Sequence, residues 1–524
     1  MIDDLRLQQD GTTFECDVCI IGAGAAGISI ARRFLGGRQS VLVLESGGLG
    51  FEESTQALYA FENAGLPRSR DTRFRLFGGT TAAWDGRCAM LSEVDFSPRP
   101  WLAHSGWPIG AADLLPYSLA AHGACGLASD DLPTQFARGV GRAFPALAPD
   151  KLRLHLWQFG PGGPKRFGTA HREDFESSRN VHVLLHANAT RIEAAPGGAA
   201  VEAVRIQTLE GKQARVRARF VVLCAGGIEN ARLLLLSNDV AAAGLGNSRD
   251  LVGRFLMDHP RRVAGTIVAR DPYRFADAFL SHRLPDGTRL LPGVELSPDL
   301  QARQGLLNCG ALFFAQTSGE SGTAALRRLL GRPEGDSQPG GLLRDVARVM
   351  TDLDEVLINA RRKVLEPAKE QVSTPQVVTM LCDVEQSPNP ASRVTLARDR
   401  DALGLNQARI EWQVTEAERR TVRAITVAVG EEFGRLGLGR VRLDEALVPE
   451  EGPPDFTEAH HHMGTTRMAS DPSQGVVSPD GQVFGIANLY VAGSSVFPTS
   501  GHVNPTLTLV ALSLRLADHL ASQA

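Results

Sequence analysis

The stretch that decides the fold lies near the N-terminus and reads FECDVCIIGAGAAGISIARRF (residues 14–34). It predicts a buried strand from Cys16 to Ile21, a glycine turn and then a helix. A second strand follows in QSVLVLESGG (residues 39–48) and ends in the acid Glu45. Strand, helix and strand in this order make a βαβ unit, so the sequence predicts a Rossmann-like α/β domain.

The glycine turn of this unit has the features of a dinucleotide site. Gly22 permits the tight turn, Gly24 lets a pyrophosphate approach the backbone, and Gly27 lets helix and strand pack closely. The phosphates would lie over the helix N-terminus, where free N–H groups favour negative charge. Glu45 follows the glycines by about 20 residues, where a carboxylate accepts both ribose hydroxyls. A purely structural turn is the alternative, since glycine-rich turns are common.

Length and charge limit the possible classes of protein. The chain has 524 residues, of which 43% are hydrophobic, so we expect two or more domains. Its net charge is -4, and no run of Lys and Arg stands out, which argues against nucleic acid or an anionic membrane as the main partner. The first residues, MIDDLRLQQDGTTFECDVCIIGAG, lack a secretory or twin-arginine pattern, and no apolar run approaches the roughly 20 residues of a membrane span. We therefore expect a cytoplasmic protein.

The cysteines do not resemble a disulfide framework. There are seven of them, an odd number scattered along a long chain. Cys16 and Cys19 form a CxxC, but they lie within the first predicted strand, so packing is favoured over a redox or zinc role.

A second glycine turn occurs in ARFVVLCAGGIENARLLLLS (residues 218–237). It predicts a strand from Phe220 to Cys224, a turn at Gly226 and Gly227, and a helix. The preceding segments VHVLLHANATRI (181–192) and AVEAVRIQTLEGKQARVRAR (200–219) alternate like strands of a β-meander. A small antiparallel sheet between two halves of one nucleotide-binding domain suits FAD better than NAD.

Five motifs in this order resemble the glucose–methanol–choline (GMC) oxidoreductases. They are IIGAGAAG…VLVLESG, FGGTTAAWDGR, VLCAGGIENARLLLLS, HHHMGTTRM and NLYVAGSSVFPTSGHVNPTLTLVALSLRLADHL. The sequences of these motifs are most similar to the bacterial sugar- and polyol-oxidising branch around pyranose oxidase. The resemblance implies an FAD-dependent enzyme that oxidises alcohols, with a Rossmann-like cofactor domain and a substrate domain built on a mostly antiparallel sheet with helices.

The resemblance also implies a discontinuous domain organisation. Residues 1–100, 170–258 and 455–524 would form the FAD-binding domain, and residues 101–169 and 259–454 the substrate domain with its cap and loop excursions. LMDHP (256–260) marks the expected exit from the cofactor domain, and its His259 is interpreted as structural rather than catalytic.

The family's catalytic pair transfers to two positions of this chain. The base is the histidine of the HxxGT motif, His461, and its partner is Asn504, which precedes the Pro-Thr of the last helix. Asn504 could instead be an ordinary helix N-cap, and we expect it to serve as both cap and catalyst. His502 is a less certain catalytic residue. Three consecutive histidines, residues 460–462, alternate faces, so no metal site is predicted.

The cofactor-binding residues are predicted from the same motifs, with FAD as the cofactor. They are Gly22, Gly24, Ala25, Ala26, Gly27, Glu45, Ser46, Arg75, Gly79, Thr80, Trp84, Gly86, Ala189, Cys224, Ala225, Gly226, Gly493, Ser494, Asn504, Pro505 and Thr506. Some family members attach FAD through a histidine directly before the loop tryptophan. Ala83 occupies that place here, so the resemblance implies non-covalent FAD. The helix N-terminus at Pro505 and Thr506 is expected to face the flavin pyrimidine ring.

The remaining region decides substrate and partners. Residues 317–341, rich in Gly, Ser and Pro, predict a mobile excursion. The apolar stripe after it, which comprises Val346, Val349, Leu353, Val356 and Val364, is expected to pack on the substrate domain, with a subunit or electron-partner surface as the alternative. We expect a small alcohol or sugar as substrate and O2 or a quinone-like compound as acceptor. An FAD-containing lyase and a non-catalytic flavoprotein are the alternative functions.

Overall fold

The computed structural model describes residues 1–66, 72–128, 131–140, 144–315, 322–330, 342–365, 377–449 and 455–523. The strands are, in chain order, β1 (Ile2–Asp4), β2 (Thr13–Ile21), β3 (Val41–Leu44), β4 (Phe61–Ala64), β5 (Leu152–Phe159), β6 (Val181–Leu185), β7 (Asn188–Ala194), β8 (Val201–Gln207), β9 (Gln213–Leu223), β10 (Arg261–Ala269), β11 (His282–Arg283), β12 (Arg289–Leu296), β13 (Cys309–Ala315), β14 (Val377–Val384), β15 (Arg393–Arg400), β16 (Asn406–Glu411), β17 (Gly439–Leu443) and β18 (Leu489–Val491). The α-helices are α1 (Ala25–Arg33), α2 (Glu53–Gln56), α3 (Glu93–Phe96), α4 (Leu115–Cys125), α5 (Leu132–Val140), α6 (Phe167–Glu176), α7 (Gly226–Leu236), α8 (Pro272–Phe279), α9 (Pro298–Gln304), α10 (Gly322–Leu329), α11 (Leu342–Thr351), α12 (Leu353–Leu365), α13 (Glu416–Arg435) and α14 (Thr506–Gln523).

The first sheet contains the predicted βαβ unit. Its strands run in the order β1-β6-β3-β2-β9-β8-β7, and β18 also pairs with β9. Strands β7, β8 and β9 form the predicted antiparallel meander, whereas β6, expected in that meander, pairs parallel to β1 and β3. The long strand β9 pairs with β8 and also parallel with β2. The meander is therefore the edge of one continuous sheet.

The close packing of strand and helix in this unit depends on Gly27. A Cβ atom built at Gly27 would lie 1.9 Å from the carbonyl oxygen of Gly22. Gly22 itself has a φ of 107°, in the left-handed region that favours glycine. Helix α1 can therefore start directly over the end of β2, and it packs against α14 on this side of the sheet.

The second sheet is antiparallel, as expected for a substrate domain. Its strands follow the order β11-β12-β13-β14-β10-β17, with β5 paired to β12. Helix α13 packs against several of these strands. A cluster of phenylalanine rings, whose centroids are about 5–6 Å apart, fills the space between the sheet and its helices and comprises Phe275, Phe279, Phe313 and Phe433.

A small third sheet joins distant parts of the chain. Strand β16 pairs parallel to β4 and antiparallel to β15, and both β15 and β16 contact α7. Helix α4 packs on α14. Segments 115–125 and 393–411, expected in the substrate domain, thus contact helices of the first sheet, while the full domain boundaries stay a prediction.

After β9 and α7 the chain passes into the second sheet and later returns from it beside the segment by which it left, at a place that we call the neck. Met257 and Met463 exchange two backbone hydrogen bonds of 3.0 and 2.8 Å, and Arg261 and Thr457 exchange two more of 2.8 and 3.0 Å. All strands of the second sheet except β5 lie between the two sides of the neck.

The predicted apolar stripe is not buried as expected. It lies on two helices, α11 and α12, that pack on α10 and on each other. Val356 is buried, but Val346 and Leu353 are 46% and 44% exposed. The helical spacing predicted which residues share a face, but spacing alone does not show that another element covers that face. Val364 lies on α12, most of the predicted 317–341 excursion lies outside the described residues, and α10 is a helix within its described part. Among the described helices, none has the length and apolarity needed to cross a bilayer.

We expect Gly27→Ala to lower the stability of the apoprotein by about 3 kcal/mol, the upper range for overpacking, because its methyl group would meet the backbone of Gly22. Gly24→Ala is the matched control, since a Cβ at Gly24 meets no atom within 4 Å. Chemical denaturation of both apoproteins measures the difference. Equal loss of stability in the two variants would contradict the packing argument.

Candidate active site

A cavity lies at the carboxyl ends of β2, β3 and β9 and extends to the start of α14. In an open α/β sheet this edge is the usual ligand site. The predicted cofactor residues that line it are Gly22, Gly24, Ala25, Ala26, Glu45, Ser46, Arg75, Gly79, Thr80, Trp84, Ala189, Cys224, Ala225, Gly226, Gly493, Ser494, Asn504, Pro505 and Thr506. The fold therefore brings together residues from four of the five motifs, and their individual contacts with the cofactor stay predictions.

Two predicted cofactor residues do not line the cavity. Gly27 lies behind the turn, where its lack of a side chain serves packing. Gly86 has a φ of 81°, and a Cβ there would lie 2.8 Å from the Cα of Pro164. Its neighbours Asp85 and Arg87 do face the cavity, so Gly86 shapes the loop that presents them.

The end of the cavity near α1 fits the diphosphate and ribose of FAD. Gly24 is the N-cap residue of α1 and makes no side-chain capping bond, so the first helical N–H groups keep their capacity for an anion. The added Cβ at Gly24 would meet open space. Glu45 accepts hydrogen bonds from the Ala23 and Gly47 N–H groups at 3.0 and 2.9 Å, which orients its carboxylate at the cavity wall.

Arg75 adds a positive charge to the same region. One of its nitrogens donates to Glu229 at 3.1 Å, but its buried Nε has no hydrogen-bond partner among the described residues. A buried donor of this kind is costly unless a ligand satisfies it, and phosphate oxygens are suited to do so. The residues present therefore fit FAD.

The predicted catalytic pair meets at the far end of the cavity. Asn504 Nδ2 lies 3.2 Å from His461 Nε2, although the two residues come from separate segments. Asn504 Oδ1 accepts a hydrogen bond of 3.0 Å from Arg87 Nε. Burial and the neighbouring His259 hold the pKa of His461 well below its usual value. His461 is therefore neutral at neutral pH and can act as a base.

The structure does not support the capping role of Asn504. Helix α14 begins at Thr506, and the Leu509 N–H donates to the Pro505 carbonyl. Among the described residues, both ends of the Asn504 side chain bond to side chains and neither bonds to a helix N–H. The cap interpretation was wrong because sequence spacing cannot show which partner a side chain selects.

Asp258 orders the segment that carries the base. Its Oδ1 accepts backbone N–H groups from His259, Ala459 and His461 at 2.6, 3.1 and 3.0 Å. Burial raises the pKa of Asp258 to about 7. No motif assigned a role to this residue, although an acid within the apolar LMDHP segment is a signal for a buried, hydrogen-bonded carboxyl group.

A row of buried charges joins the second sheet to this pair. Asp383 on β14 accepts hydrogen bonds from Arg261 at 2.6 and 3.0 Å and from Arg87 at 3.2 Å. Burial opposes ionisation, but the two guanidinium groups outweigh it and lower the pKa of Asp383. No sequence pattern indicated the roles of these three residues, whose partners are more than a hundred positions away.

His502 does not join the catalytic pair. Its Nε2 lies 3.1 Å from Glu295, which also lies 2.9 Å from His155 Nδ1. Burial disfavours a charged ring, yet the hydrogen bond to Glu295 raises the pKa of His502. His502 is also absent from the cavity wall. These three residues form the single described group with metal-compatible spacing, and each contact has the length of a hydrogen bond.

The three consecutive histidines diverge. His461 faces Asn504, whereas His462 lies near Asp258, with 4.0 Å between His462 Nε2 and the carboxylate. His460 has a φ of 65° and lies 3.8 Å from Glu458. The three side chains therefore have separate surroundings, and the absence of a metal site at them stays a prediction.

The fold and the site define a flavin-dependent oxidoreductase, and comparisons with known proteins agree. A family model described as FAD dependent oxidoreductase matches residues 17–275, and one described as GMC oxidoreductase matches residues 388–513. The chain belongs to the glucose–methanol–choline oxidoreductases, which are FAD-dependent enzymes of alcohols and sugars.

Individual relatives cover nearly the whole chain. It is 26% identical to 2-methyl-1,2-propanediol dehydrogenase of Mycolicibacterium austroafricanum over 97% of this chain and 95% of that protein. It is also 26% identical to 6'''-hydroxyparomomycin C oxidase of Streptomyces lividus, over 97% of this chain and 92% of that protein. The crystal structure of pyridoxine 4-oxidase from Mesorbium loti has a TM-score of 0.58 at 17% identity and covers 97% of this chain and 99% of that one, which shows the shared fold.

The stability of the protein is expected to depend on pH through Asp258. A carboxyl group whose pKa is about 7 in the folded state holds its proton more tightly there than in the unfolded chain. The thermal midpoint should therefore fall as pH rises from about 4 to about 7, the interval between the two pKa values. The thermal midpoint of the Asp258→Asn variant should fall less over this interval. Parallel curves for the two proteins would contradict the assignment.

Proposed function

We propose that this enzyme oxidises a CH–OH group of a sugar, polyol or glycoside, with His461 as the base and Asn504 as its partner. One observation carries the proposal: the 3.2 Å contact between a neutral imidazole and a carboxamide at the wall of the FAD cavity. The pair supplies both an acceptor for the hydroxyl proton and a donor for the hydroxyl oxygen.

The relatives support this substrate class. Besides the diol dehydrogenase and the hydroxyparomomycin oxidase, the chain is 48% identical over 128 residues to C-glycoside 3-oxidase of Microbacterium trichothecenolyticum, which covers 24% of this chain and 23% of that protein. The relatives named here are all oxidases or dehydrogenases. They favour alcohol oxidation over the lyase alternative, and a polyhydroxylated substrate over a simple alcohol.

The chain's own groups have distinct tasks in this reaction. FAD, when bound, supplies the acceptor for the hydride that leaves the carbinol carbon. His461 Nε2 takes the hydroxyl proton, and the Asn504 amide donates to the oxygen as its negative charge develops. Arg87 strengthens this donor because it polarises the Asn504 carbonyl from the other side. Arg87 and Arg261 both line the cavity and add positive potential around the oxygen.

An anaerobic panel of sugars, aminosugars, glycosides, diols and simple alcohols tests the proposal, with flavin absorbance at about 450 nm followed during mixing. We expect polyhydroxylated compounds to bleach the flavin. His461→Ala should slow this reduction at least ~100-fold, the lower range for loss of a general base. His182→Ala, a change on strand β6 outside the cavity, is the matched control.

Two outcomes would contradict the proposal. A His461→Ala enzyme that is reduced at the wild-type rate would exclude His461 as the base. A wild-type flavin that no alcohol bleaches would leave an electron carrier or a non-redox reaction as the function.

For the electron acceptor we propose two candidates, O2 and a quinone. Reoxidation of the bleached enzyme by one or the other identifies the acceptor.

We also propose that FAD is dissociable. Ala83 lines the cavity beside Trp84 at the place where some family members carry an attachment histidine, and alanine offers no nucleophile. Acid denaturation and centrifugation should leave the yellow colour in the supernatant. Colour that stays in the protein pellet would show a covalent bond formed by another residue.

A further inference from the structure

His259 lies directly behind the proposed base. Its Nδ1 is 2.9 Å from His461 Nδ1, and the two rings meet edge to face with centroids 5.0 Å apart. The other nitrogen of His259 lies 3.2 Å from the Ser500 carbonyl oxygen. His259 is only 1% exposed and is absent from the cavity wall, so it reaches the reaction only through His461.

The Ser500 carbonyl decides where the proton of His259 lies. A carbonyl oxygen only accepts hydrogen bonds, so His259 Nε2 must carry a hydrogen and donate it to the Ser500 carbonyl. Burial lowers the pKa of His259 to about 4, so the ring is neutral and its Nδ1 holds a lone pair. His461 Nδ1 must then be the donor across the 2.9 Å contact.

The hydrogen bonds on the other side of His461 independently indicate the same tautomer. The Arg87 guanidinium only donates, so the Asn504 oxygen faces Arg87 and the Asn504 nitrogen faces His461. An amide nitrogen also only donates, and His461 Nε2 is therefore the acceptor. Two fixed groups, a backbone carbonyl on one side and a guanidinium on the other, select one tautomer of His461.

We propose that His259 is a positioning residue that keeps the single proton of His461 on Nδ1, which leaves on Nε2 the lone pair that can accept the proton of the substrate hydroxyl. This inference rests on the proposed function for the identity of the base. It adds that His259 specifies the tautomer in which the base reacts. In the other tautomer, Nε2 would carry a hydrogen and could not accept the hydroxyl proton.

The choice of an imidazole in this position also affects the basicity of His461. A carboxylate there would stabilise the protonated ring and raise the pKa of the base, whereas neutral His259 does not. The charged and titratable groups around the pair are Asp258, Asp383, Arg87, Arg261 and His502. All of them remain when only His259 is changed.

A matched pair of variants separates positioning from packing. His259→Asn retains an acceptor oxygen near the place of Nδ1, whereas His259→Leu fills similar space without one. In FAD-loaded enzyme, we expect the substrate-dependent flavin reduction rate of His259→Leu to fall about 10–100-fold, by analogy with loss of the group that orients a metal-bound histidine. His259→Asn should stay within about 5-fold of wild type by the same comparison. Substrate affinity should be unchanged in both.

The pH profile is the readout that a packing role would not move. His259→Asp should shift the acid limb of the reduction rate to higher pH by at least about one unit, because an aspartate stabilises protonated His461. Equal rates in the Asn and Leu variants, or an unshifted limb in the Asp variant, would overturn the proposal.

A direct measurement serves if these variants fail to fold. In wild-type protein labelled with 15N-histidine, the His461 signals, assigned by their loss in His461→Ala, should show a protonated Nδ1 and an unprotonated Nε2. The reverse pattern would overturn the role of His259. Failure of the proposed function looks different, since then no alcohol reduces the flavin although the tautomer is as expected.

Discussion

The buried carboxylate of Asp383 is the interaction on which the geometry of the active site depends. It projects from the second sheet and binds Arg261 at the neck and Arg87 in the loop over the cavity. Arg87 in turn holds Asn504 at the start of α14. Breaking a buried ion pair leaves an uncompensated charge that costs about 3–5 kcal/mol, so the two sheets, the loop and the last helix are held in one arrangement.

This arrangement explains how a neutral base can exist among several charges. Asp383 is shared by two arginines, so its negative charge is already compensated and does little to stabilise a protonated His461. Asp258, the other nearby acid, directs its Oδ1 to backbone N–H groups. The surroundings thus disfavour protonation of the imidazole, which keeps its lone pair available without help from a neighbouring carboxylate.

Local motifs predicted the parts of this molecule that local chemistry specifies. The turn at Gly22 and Gly24, the strand that ends at Glu45 and the helix after Pro505 follow from short-range spacing, and the structure places them around one cavity. The meeting of His461 with Asn504 could be predicted only through the family resemblance. Nothing in the spacing of two segments on either side of β18 specifies that they face each other.

The rest could not be predicted because it depends on contacts between distant residues. Strand β4 pairs with β16, more than 300 positions away, and no periodicity in a four-residue strand indicates its partner. The roles of Asp383 and His259 are likewise set by neighbours that the fold supplies. An acid inside the apolar strand VTMLCDV does indicate a buried charge, but not whose charge it balances.

The neck has a consequence for how such enzymes diversify. The chain leaves and returns through paired segments at Met257 and Met463. Most of the second sheet is therefore an insertion whose two ends lie side by side. Recombination could exchange this insertion as a unit without changing the path of the nucleotide-binding strands. New substrates could then be acquired by replacement of the insertion, while strands β4 and β5, contributed from outside the neck and paired with β16 and β12, limit the insertions that would fit.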